Sequence, residues 1–343
     1  MIEKNEFKKW LDETVKNFGG HSACCIRMDH PELPEIIHQN NLLVKKWIKD
    51  GNHGEMEYLE RMLPDKSDPW NTFPNAKAVI LVAFTNKWGD PEAKHPFPDI
   101  SKDSIIGYIS SYAREIDYHI KGQKILNQLS QLLGSNIDAE IAVDTKPVYE
   151  RLFAVFGGLG EIGANDLLRL PDRINVRVFI GALFVSADLP NVIHSPSMPF
   201  KCNDCLACIK NCPTNAITPN KPINAKRCIS YLTIEKKSIL SKEEGKLIND
   251  WVFGCDDCSN VCPPKEKIDS RIPIDLEWLL KSSSASIRRI IKNNAVSYSG
   301  VSQLRRNAIV ILKNKNNDKS KELIEWVKIN SKSKLVIDQI NAW

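Results

Sequence analysis

Eight of the ten cysteines lie between Cys202 and Cys262, at spacings that suit iron–sulfur chemistry. The first four form a Cys-x2-Cys-x2-Cys-x3-Cys-Pro run, as in bacterial ferredoxins, where three thiolates hold one [4Fe–4S] cluster and the fourth reaches a second. The other set, Cys255-x2-Cys258-x3-Cys262-Pro263, lacks one cysteine of that run, and Cys228 lies between the two sets. Eight thiolates are the number that two cubane clusters need, so the spacing predicts a protein that relays electrons.

Disulfides and zinc are the other uses of cysteine that these spacings allow. Disulfides are disfavoured because Cys-x2-Cys repeats in a long cytosolic chain favour metal binding. A four-thiolate zinc site also uses Cys-x2-Cys pairs, but it needs neither a further cysteine nor the Cys-Pro that closes both sets. We therefore expect iron–sulfur clusters.

The composition is that of an ordinary globular protein. The 343 residues are 42% hydrophobic and 26% charged, enough for two or three domains with real cores. The chain has no apolar run of about 18 residues, and its N-terminus has no apolar signal-peptide region. These features predict a cytoplasmic protein without a membrane segment.

The elements ahead of the cysteines predict an α/β domain. Apolar residues recur at helical spacing over residues 6–18 and 125–133, while residues 76–84 form a short apolar run typical of a buried strand. Residues 139–144 and 175–186 also predict strands. Asp144 stands at the end of its strand, where it is either a turn or helix-capping aspartate or a catalytic one.

The C-terminal part is basic and helical. Residues 276–343 have the apolar spacing of three or four helices, with arginine pairs at matching places, as in a short helical-repeat array. From Lys281 to Trp343 there are 13 Lys and Arg against 4 Asp and Glu. Such a charge excess is either a solvated helical face or a binding surface for a polyanion.

Strings around the cysteines resemble the epoxyqueuosine reductase family. The strings are Cys212-Pro-Thr-Asn-Ala-Ile217, Arg227-Cys-Ile-Ser-Tyr-Leu-Thr-Ile-Glu235 and Phe253-Gly-Cys-Asp-Asp-Cys258. Upstream segments such as His53-Gly-Glu-Met-Glu-Tyr-Leu59 and Gly107-Tyr-Ile-Ser110 follow the family in order, and Leu304-Arg-Arg-Asn-Ala308 follows it downstream. The family comprises cobalamin-dependent iron–sulfur enzymes that perform the last step of queuosine synthesis on tRNA.

The resemblance implies three domains. Residues 1–194 would form a nitroreductase-like α/β domain that binds cobalamin, residues 195–272 a ferredoxin-like domain with two [4Fe–4S] clusters, and residues 273–343 a short all-α, HEAT-like tail. One cluster would take Cys202, Cys205, Cys208 and Cys262. The other would take Cys212, Cys228, Cys255 and Cys258, a crossing that ferredoxin spacing also predicts.

The resemblance also implies roles for individual residues. Asp144 would protonate the oxygen that leaves the substrate. The implied cofactor contacts are Tyr108, Ser110, Tyr118, His119, Asp144, Gly158, Gly160, Ser230 and Tyr231, with the glycines allowing close approach of the backbone to the corrin. For Tyr118 and His119 the alternative is a helix start. The implied tRNA contacts are Arg288, Arg289, Arg305 and Arg306. The expected protein is a monomer that receives electrons from a donor such as flavodoxin or ferredoxin and acts on the tRNA anticodon stem-loop.

The segment 161–183 departs from the family pattern. Ala164 stands where the family has lysine, and Ala182 stands where it has glutamate. We expect this segment at the cofactor and substrate pocket, so two other functions stay open. One is a cobalamin-dependent enzyme that reduces a small organic substrate, as reductive dehalogenases do, and the other is a two-cluster electron carrier.

Overall fold

The structure is a computed structural model that describes residues 3–85, 94–171, 177–195, 202–219, 221–263 and 271–343. Its strands are β1 Gly20–Arg27, β2 Ala78–Phe84, β3 Ile106–Ile109, β4 Ala139–Ala142, β5 Glu161–Ile162, β6 Leu168–Arg169, β7 Phe179–Val185, β8 Trp251–Phe253 and β9 Ile272–Asp275.

The helices ahead of the cysteines are α1 Lys4–Asn17, α2 Leu33–Lys49, α3 Tyr58–Arg61, α4 Leu63–Ser67, α5 Pro69–Thr72, α6 Tyr118–Leu133 and α7 Glu150–Phe156. The cysteine region contains α8 Cys202–Cys205, α9 Ala207–Asn211, α10 Lys242–Leu247 and α11 Asp257–Asn260. The tail contains α12 Leu276–Lys281, α13 Ser284–Ile291, α14 Gly300–Lys315, α15 Asp318–Asn330 and α16 Lys334–Asn341.

The main sheet is antiparallel, in the order β1-β2-β7-β4, and helices cover both of its faces. Every residue of β2 is buried, because α1 and α6 pack on one face while α2 and α7 pack on the other. Burial on both faces explains the continuous apolar run of this strand. Cys24 and Cys25 point to opposite faces of β1 and are both buried, as expected of core thiols.

A second sheet joins distant parts of the chain. Strand β3 pairs in parallel with β8 and antiparallel with β9. The hydrophobic core beneath it contains residues from the segment 97–113, from the segment 225–253 and from the tail. The segment around β3 therefore packs with the C-terminal half of the chain, although it lies between two elements of the main sheet in sequence.

The tail has five α-helices, one more than the upper end of the predicted range. Helix α14 lies at its centre, and five consecutive residues from Ala308 to Leu312 are buried. A helix that is apolar all round must be covered on all sides. Helices α12, α13, α15 and α16 supply that cover together with α10 and β8.

The strands and helices predicted in the first part of the chain are confirmed in type. Residues 6–18, 76–84 and 139–144 correspond to α1, β2 and β4, and residues 125–133 form the second half of α6. The strand predicted over 175–186 is β7, and its first two residues lie outside the described part. No helix within the described ranges is long and apolar enough to cross a membrane.

Candidate active site and cysteine cavities

Four cysteines from both sets line one cavity. They are Cys202, Cys205, Cys208 and Cys262, and the cavity is also lined by Asn165 and Arg169. Helices α8 and α9 bring the first three cysteines together, because Leu206 between them has a left-handed backbone (φ 51°) that turns the chain sharply. Four thiols around one cavity are a donor set that suits a cubane cluster. We name this the outer cavity.

The other four cysteines form a second group. Cys258 lies close enough to Cys228, Cys208 and Cys212 for their charges to act on it, and Cys255 is affected in the same way by Cys258 and Cys228. Burial is the largest cause of the raised pKa of Cys228, and Cys212 adds to it. In the described part of the chain, no three Cys, His, Asp or Glu side chains are arranged to hold a single metal ion.

The β5–β6 hairpin packs against the outer cavity. The backbone N–H of Ala164 donates to the sulfur of Cys202 over 3.1 Å, and Asn165 Nδ2 lies 3.5 Å from the carbonyl oxygen of Cys258. The departure at Ala164 therefore lies beside the outer cavity, and its place at a substrate pocket stays a prediction. Ala182 is a buried residue of the main sheet, paired with Ala142.

Asp144 lies two residues beyond β4 and its carboxylate is 66% exposed. Its φ of 58° is left-handed, a conformation that non-glycine residues rarely adopt and that occurs at functional turns. Tyr118 donates a hydrogen bond of 2.6 Å from its phenol to Asp144 Oδ2, and His119 Nε2 lies 3.9 Å from the same oxygen. The structure therefore brings together three residues predicted for one site. Asp144 is not a helix cap, since α7 begins six residues later after Tyr149.

Tyr118 and His119 begin α6 and are held by their neighbours. The Tyr118 ring stacks on Phe179 at 4.2 Å and on the His119 ring at 4.1 Å. Asp117 caps the helix, and one of its oxygens lies 2.7 Å from His119 Nδ1. Burial lowers the pKa of His119, but the hydrogen bond to Asp117 and the charges of Asp117 and Asp144 outweigh it, so the pKa is raised. A protonated imidazole beside a carboxylate can supply a proton.

Ionisable residues from distant segments surround Asp144. Its charge acts on Lys66 and Glu150 from the N-terminal part, and on Glu235 and Tyr298 from the C-terminal half. Burial raises the pKa of Glu150 to about 7, and Glu150 Oε1 is buried without a hydrogen-bond partner. The sequence did not assign these four residues, because they come from four separate segments.

An aromatic side chain connects this site to the second cysteine group. The Tyr112 ring lies 6.3 Å from Tyr118 on one side and 5.8 Å from Phe253 on the other. A Cβ on Gly254, which precedes Cys255, would lie 3.5 Å from the Tyr112 ring. The Tyr112 ring therefore lies between Tyr118 and the residue that precedes Cys255, and we name the second cysteine group the inner group.

Two family models match this chain. The epoxyqueuosine reductase QueG, DUF1730 model matches residues 66–145, and a 4Fe-4S double cluster binding domain model matches residues 201–265. The epoxyqueuosine reductase of Vibrio cholerae is 32% identical over 328 residues, which are 90% of this chain and 83% of that protein. The chain belongs to the epoxyqueuosine reductase family.

Other members of the family are similar over shorter stretches. The epoxyqueuosine reductase of Aliivibrio fischeri is 37% identical over 66% of this chain, a match that spans 60% of that relative. The Pseudomonas aeruginosa enzyme is 36% identical over 74% of this chain and 68% of its own length. These relatives are named as reductases, so the family is one of oxidoreductases.

Solved structures of epoxyqueuosine reductases share the mixed α/β fold. The Streptococcus thermophilus structure superposes with a TM-score of 0.79 at 22% identity, covering 97% of this chain and 88% of that one. Another was solved with an epoxyqueuosine-modified tRNA-Tyr stem loop, and it superposes with a TM-score of 0.73 at 21% identity over 99% of this chain and 98% of that one.

Gly158 and Gly160 serve internal packing in this epoxyqueuosine reductase family member. A Cβ on Gly158 would lie 2.1 Å from the carbonyl oxygen of His194, and one on Gly160 would lie 1.9 Å from that of Arg169. Both glycines are needed where two backbone segments touch. These backbone contacts account for both glycines, and their close approach to a corrin stays a prediction.

Tyr108 belongs to strand β3 of the second sheet, and Ser110 directly follows that strand. The Tyr108 ring packs near Trp251 at 6.3 Å and beneath the Arg271 guanidinium at 4.0 Å. Ser110 is 1% exposed and donates a hydrogen bond to the buried carboxylate of Asp256, which stands between two cysteines of the inner group. Both residues connect β3 with neighbouring segments, and their cofactor contact stays a prediction.

Ser230 and Tyr231 lie beside Cys228, as predicted from their sequence positions. Ser230 hydrogen-bonds the sulfur of Cys228. The Tyr231 hydroxyl accepts a hydrogen bond of 2.7 Å from the backbone N–H of Glu55, and a Cβ on Gly54 would clash with this ring. Tyr231 therefore anchors the loop around Gly54 to the cysteine region.

The four arginines predicted to bind tRNA differ in exposure. Arg288 and Arg289 are exposed on α13. Arg306 is fully buried and donates to the carbonyl oxygens of Leu232, Lys236 and Ser238. Its predicted RNA contact is therefore wrong. Arg305 is half-buried and donates to the carbonyl oxygens of Leu279 and Ser282, which end α12, so it too is mainly structural.

Proposed function

We propose that this protein reduces epoxyqueuosine to queuosine in the anticodon loop of tRNA, with cobalamin and two [4Fe–4S] clusters. The observation that carries the proposal is the Asp144 site, an exposed carboxylate that accepts a hydrogen bond from Tyr118, whose ring lies 6.3 Å from the Tyr112 ring beside the inner group. Such an arrangement would put a proton source near a source of electrons. Because the substrate is tRNA, the reaction belongs to the cytoplasm.

The reaction consumes two electrons and two protons. Opening the epoxide and forming the alkene releases the oxygen as water, so each electron is matched by a proton. The cysteine groups would supply electrons one at a time, since each cluster carries one. The side chains must hold the substrate oxygen near an acid and keep that acid supplied with protons.

Asp144 would deliver the proton to the departing oxygen. Its carboxylate is exposed, accepts a hydrogen bond from Tyr118 and lies near the His119 ring at the start of α6. The raised pKa of His119 allows this imidazole to carry a proton that can replace the one lost by Asp144. Glu150, with a pKa raised to about 7, is a second nearby carrier at neutral pH.

The residues around Asp144 suit a large flat cofactor with a polar rim. Tyr112, Tyr118 and Phe179 form a half-buried aromatic wall beside the carboxylate. Glu150 Oε1 is a buried acceptor without a partner, which matches the amide donors on the rim of cobalamin. When bound, cobalamin would supply low-valent cobalt as the reductant of the epoxide. Tyr118, His119 and Asp144 are the residues that we propose hold it.

The two clusters would be held by crossed sets of cysteines. We assign one to the outer cavity with Cys262, and the other to the inner group with Cys212. The shared lining of the outer cavity supports the first assignment, and the effects of Cys212, Cys228, Cys255 and Cys258 on one another support the second. An external one-electron donor such as flavodoxin or ferredoxin would reduce the clusters, and a monomer contains every residue that the reaction needs.

The tail would contact the anticodon stem-loop through Arg288 and Arg289. Both guanidinium groups are exposed on α13 and can meet phosphates, which position an RNA without selecting its bases. Tyr298 is 58% exposed, and its hydroxyl donates to Glu235 over 3.2 Å, within electrostatic reach of Asp144. An RNA bound to α13 would therefore pass close to the reacting carboxylate.

The test uses tRNA from a strain deleted for this gene. The purified protein, loaded with iron–sulfur clusters and cobalamin and supplied with a reductant, should convert accumulated epoxyqueuosine to queuosine, as measured by nucleoside mass spectrometry. Protein without cobalamin should give no conversion. Unchanged queuosine in the deletion strain, or no conversion by the loaded protein, would overturn the proposal.

A further inference from the structure

A buried cation stands beside the outer cavity. Arg169 is 2% exposed and lines the cavity together with Cys202, Cys205, Cys208 and Cys262. Asn165 lines it too and is 4% exposed. A buried guanidinium keeps its charge, because arginine stays protonated in proteins. The outer cavity therefore contains a fixed positive charge.

The β5–β6 hairpin packs its backbone at Gly160 and Gly163 against Arg169. A Cβ on Gly160 would lie 1.9 Å from the carbonyl oxygen of Arg169, and a Cβ on Gly163 would lie 3.2 Å from its Cδ. The same hairpin presents the N–H of Ala164 to the sulfur of Cys202. Two features known to stabilise extra negative charge on a cluster, a cation and an N–H···S bond, thus come from one short hairpin.

The inner group has different surroundings. Asp256 is fully buried between Cys255 and Cys258, where the charge of the buried Arg177 acts on it, and the charge of Asp257 acts on the Cys255 sulfur. A carboxylate such as that of Asp257 beside a cluster makes its reduction harder, because reduction adds one more negative charge. The charge of Arg169 acts on Cys262, a cysteine of the outer cavity.

We propose that Arg169 keeps the reduction potential of the outer cluster above that of the inner cluster. A cation at short range stabilises the reduced, more negative form, and the effect is large where water is excluded. The outer cluster is then reduced first. It keeps its electron while the inner cluster passes another electron to the Asp144 site. The inference rests on the proposed function only in requiring that both clusters are bound.

The test is a redox titration of the reconstituted full-length protein, followed by electron paramagnetic resonance. In Arg169→Met one of the two midpoint potentials should fall while the other stays unchanged. We expect at least a tenfold change in the ratio of oxidised to reduced cluster, which for one electron is about 59 mV. Arg169→Lys, which keeps the charge, should shift the same midpoint less.

Two further variants assign the shift. Arg151→Met removes a cation that pairs with Asp166 of the same hairpin but is 52% exposed, and it should leave both midpoints unchanged. Asp257→Asn removes a charge beside the inner group and should raise the other midpoint. If Arg169→Met moves neither midpoint, moves both equally, or moves one no further than Arg151→Met does, the inference is wrong.

A second substitution keeps the test decisive if Arg169→Met fails to bind its outer cluster. Asn165→Asp adds a negative charge to the same cavity without removing the guanidinium, and it should lower the midpoint of the outer cluster alone. An unchanged midpoint in that variant would overturn the inference. The proposed function is judged separately, by queuosine formation in the unsubstituted protein, so the two can fail independently.

Discussion

The phenol of Tyr118 donates a 2.6 Å hydrogen bond to the carboxylate of Asp144, although 26 residues separate them. Tyr118 is the first residue of α6, and Asp144 follows β4, the edge strand of the main sheet. Helix α6 packs on β4 and β7, which brings the start of the helix to the end of the strand. The Asp144 carboxylate is thus positioned by the packing of α6 on the sheet.

Asp144→Asn should abolish queuosine formation while both clusters and cobalamin stay bound. The amide keeps the shape and the hydrogen bond to Tyr118 but cannot donate a carboxylic proton. Tyr118→Phe should retain activity, reduced by about fivefold, because it removes one hydrogen bond of about 1 kcal/mol. Single-turnover assays and absorption spectra measure both. Normal turnover in Asp144→Asn would show that another group is the acid.

Glu150→Gln should alter how stability depends on pH. Burial raises the pKa of Glu150 from 4.5 to about 7, so the folded protein binds this proton more tightly than the unfolded chain. The stabilisation is complete below pH 4.5 and is lost as pH rises through 7. Glu150→Gln should therefore be more stable above pH 7, by on the order of 3 kcal/mol at most. Denaturant unfolding from pH 5 to 8 measures this.

The control for that series is Glu57→Gln, which changes a carboxylate that is 80% exposed. Its stability should follow that of the unsubstituted protein at every pH. Parallel curves for Glu150→Gln and the unsubstituted protein would mean that Glu150 is not held in the protonated form.

Arg306→Met should destabilise the protein strongly. It removes a buried guanidinium that donates to three backbone carbonyl oxygens, and the loss should be roughly 3–5 kcal/mol. Burial also lowers the pKa of Arg306 to about 10, as expected where charge is disfavoured. Thermal unfolding followed by circular dichroism measures the change. Arg288→Met, on an exposed position, should change the stability by less than about 0.5 kcal/mol.

Replacing Arg288 and Arg289 together with alanine should weaken binding of the anticodon stem-loop without changing the thermal midpoint. Each lost phosphate contact lowers the salt dependence of binding, so the slope of log K against log salt should fall by about 2. Fluorescence anisotropy from 50 to 200 mM salt, about the range over which such slopes are seen, measures it. Lys8→Ala with Lys9→Ala, exposed on α1, is the matched control.

The crossed assignment of cysteines predicts which substitutions act together. Cys262→Ser should lose the same cluster as Cys208→Ser, so the double variant should lose no more iron than either single variant. Cys262→Ser with Cys212→Ser should lose both clusters. Iron content and electron paramagnetic resonance measure the outcome. Loss of both clusters in the Cys208 and Cys262 double variant would contradict the crossing.

The arginine pairs show where local sequence stops being informative. Arg305 and Arg306 resemble Arg288 and Arg289 in type and spacing, yet Arg306 is buried and Arg288 is exposed. Successive side chains on a helix are about 100° apart around its axis, so the two arginines of a pair can differ in burial. Only the position of α14 at the centre of the tail decides which side faces solvent.

The sequence by itself determined the cysteine chemistry, the family, and Asp144 at the end of a strand. Those features depend on spacing within short segments, where local geometry leaves few alternatives. Only the tertiary structure decided that the hairpin around Ala164 faces the outer cavity, that Arg169 supplies its charge, and that Gly158 and Gly160 serve packing. These facts depend on contacts between distant segments, which packing of the whole chain fixes and no local pattern encodes.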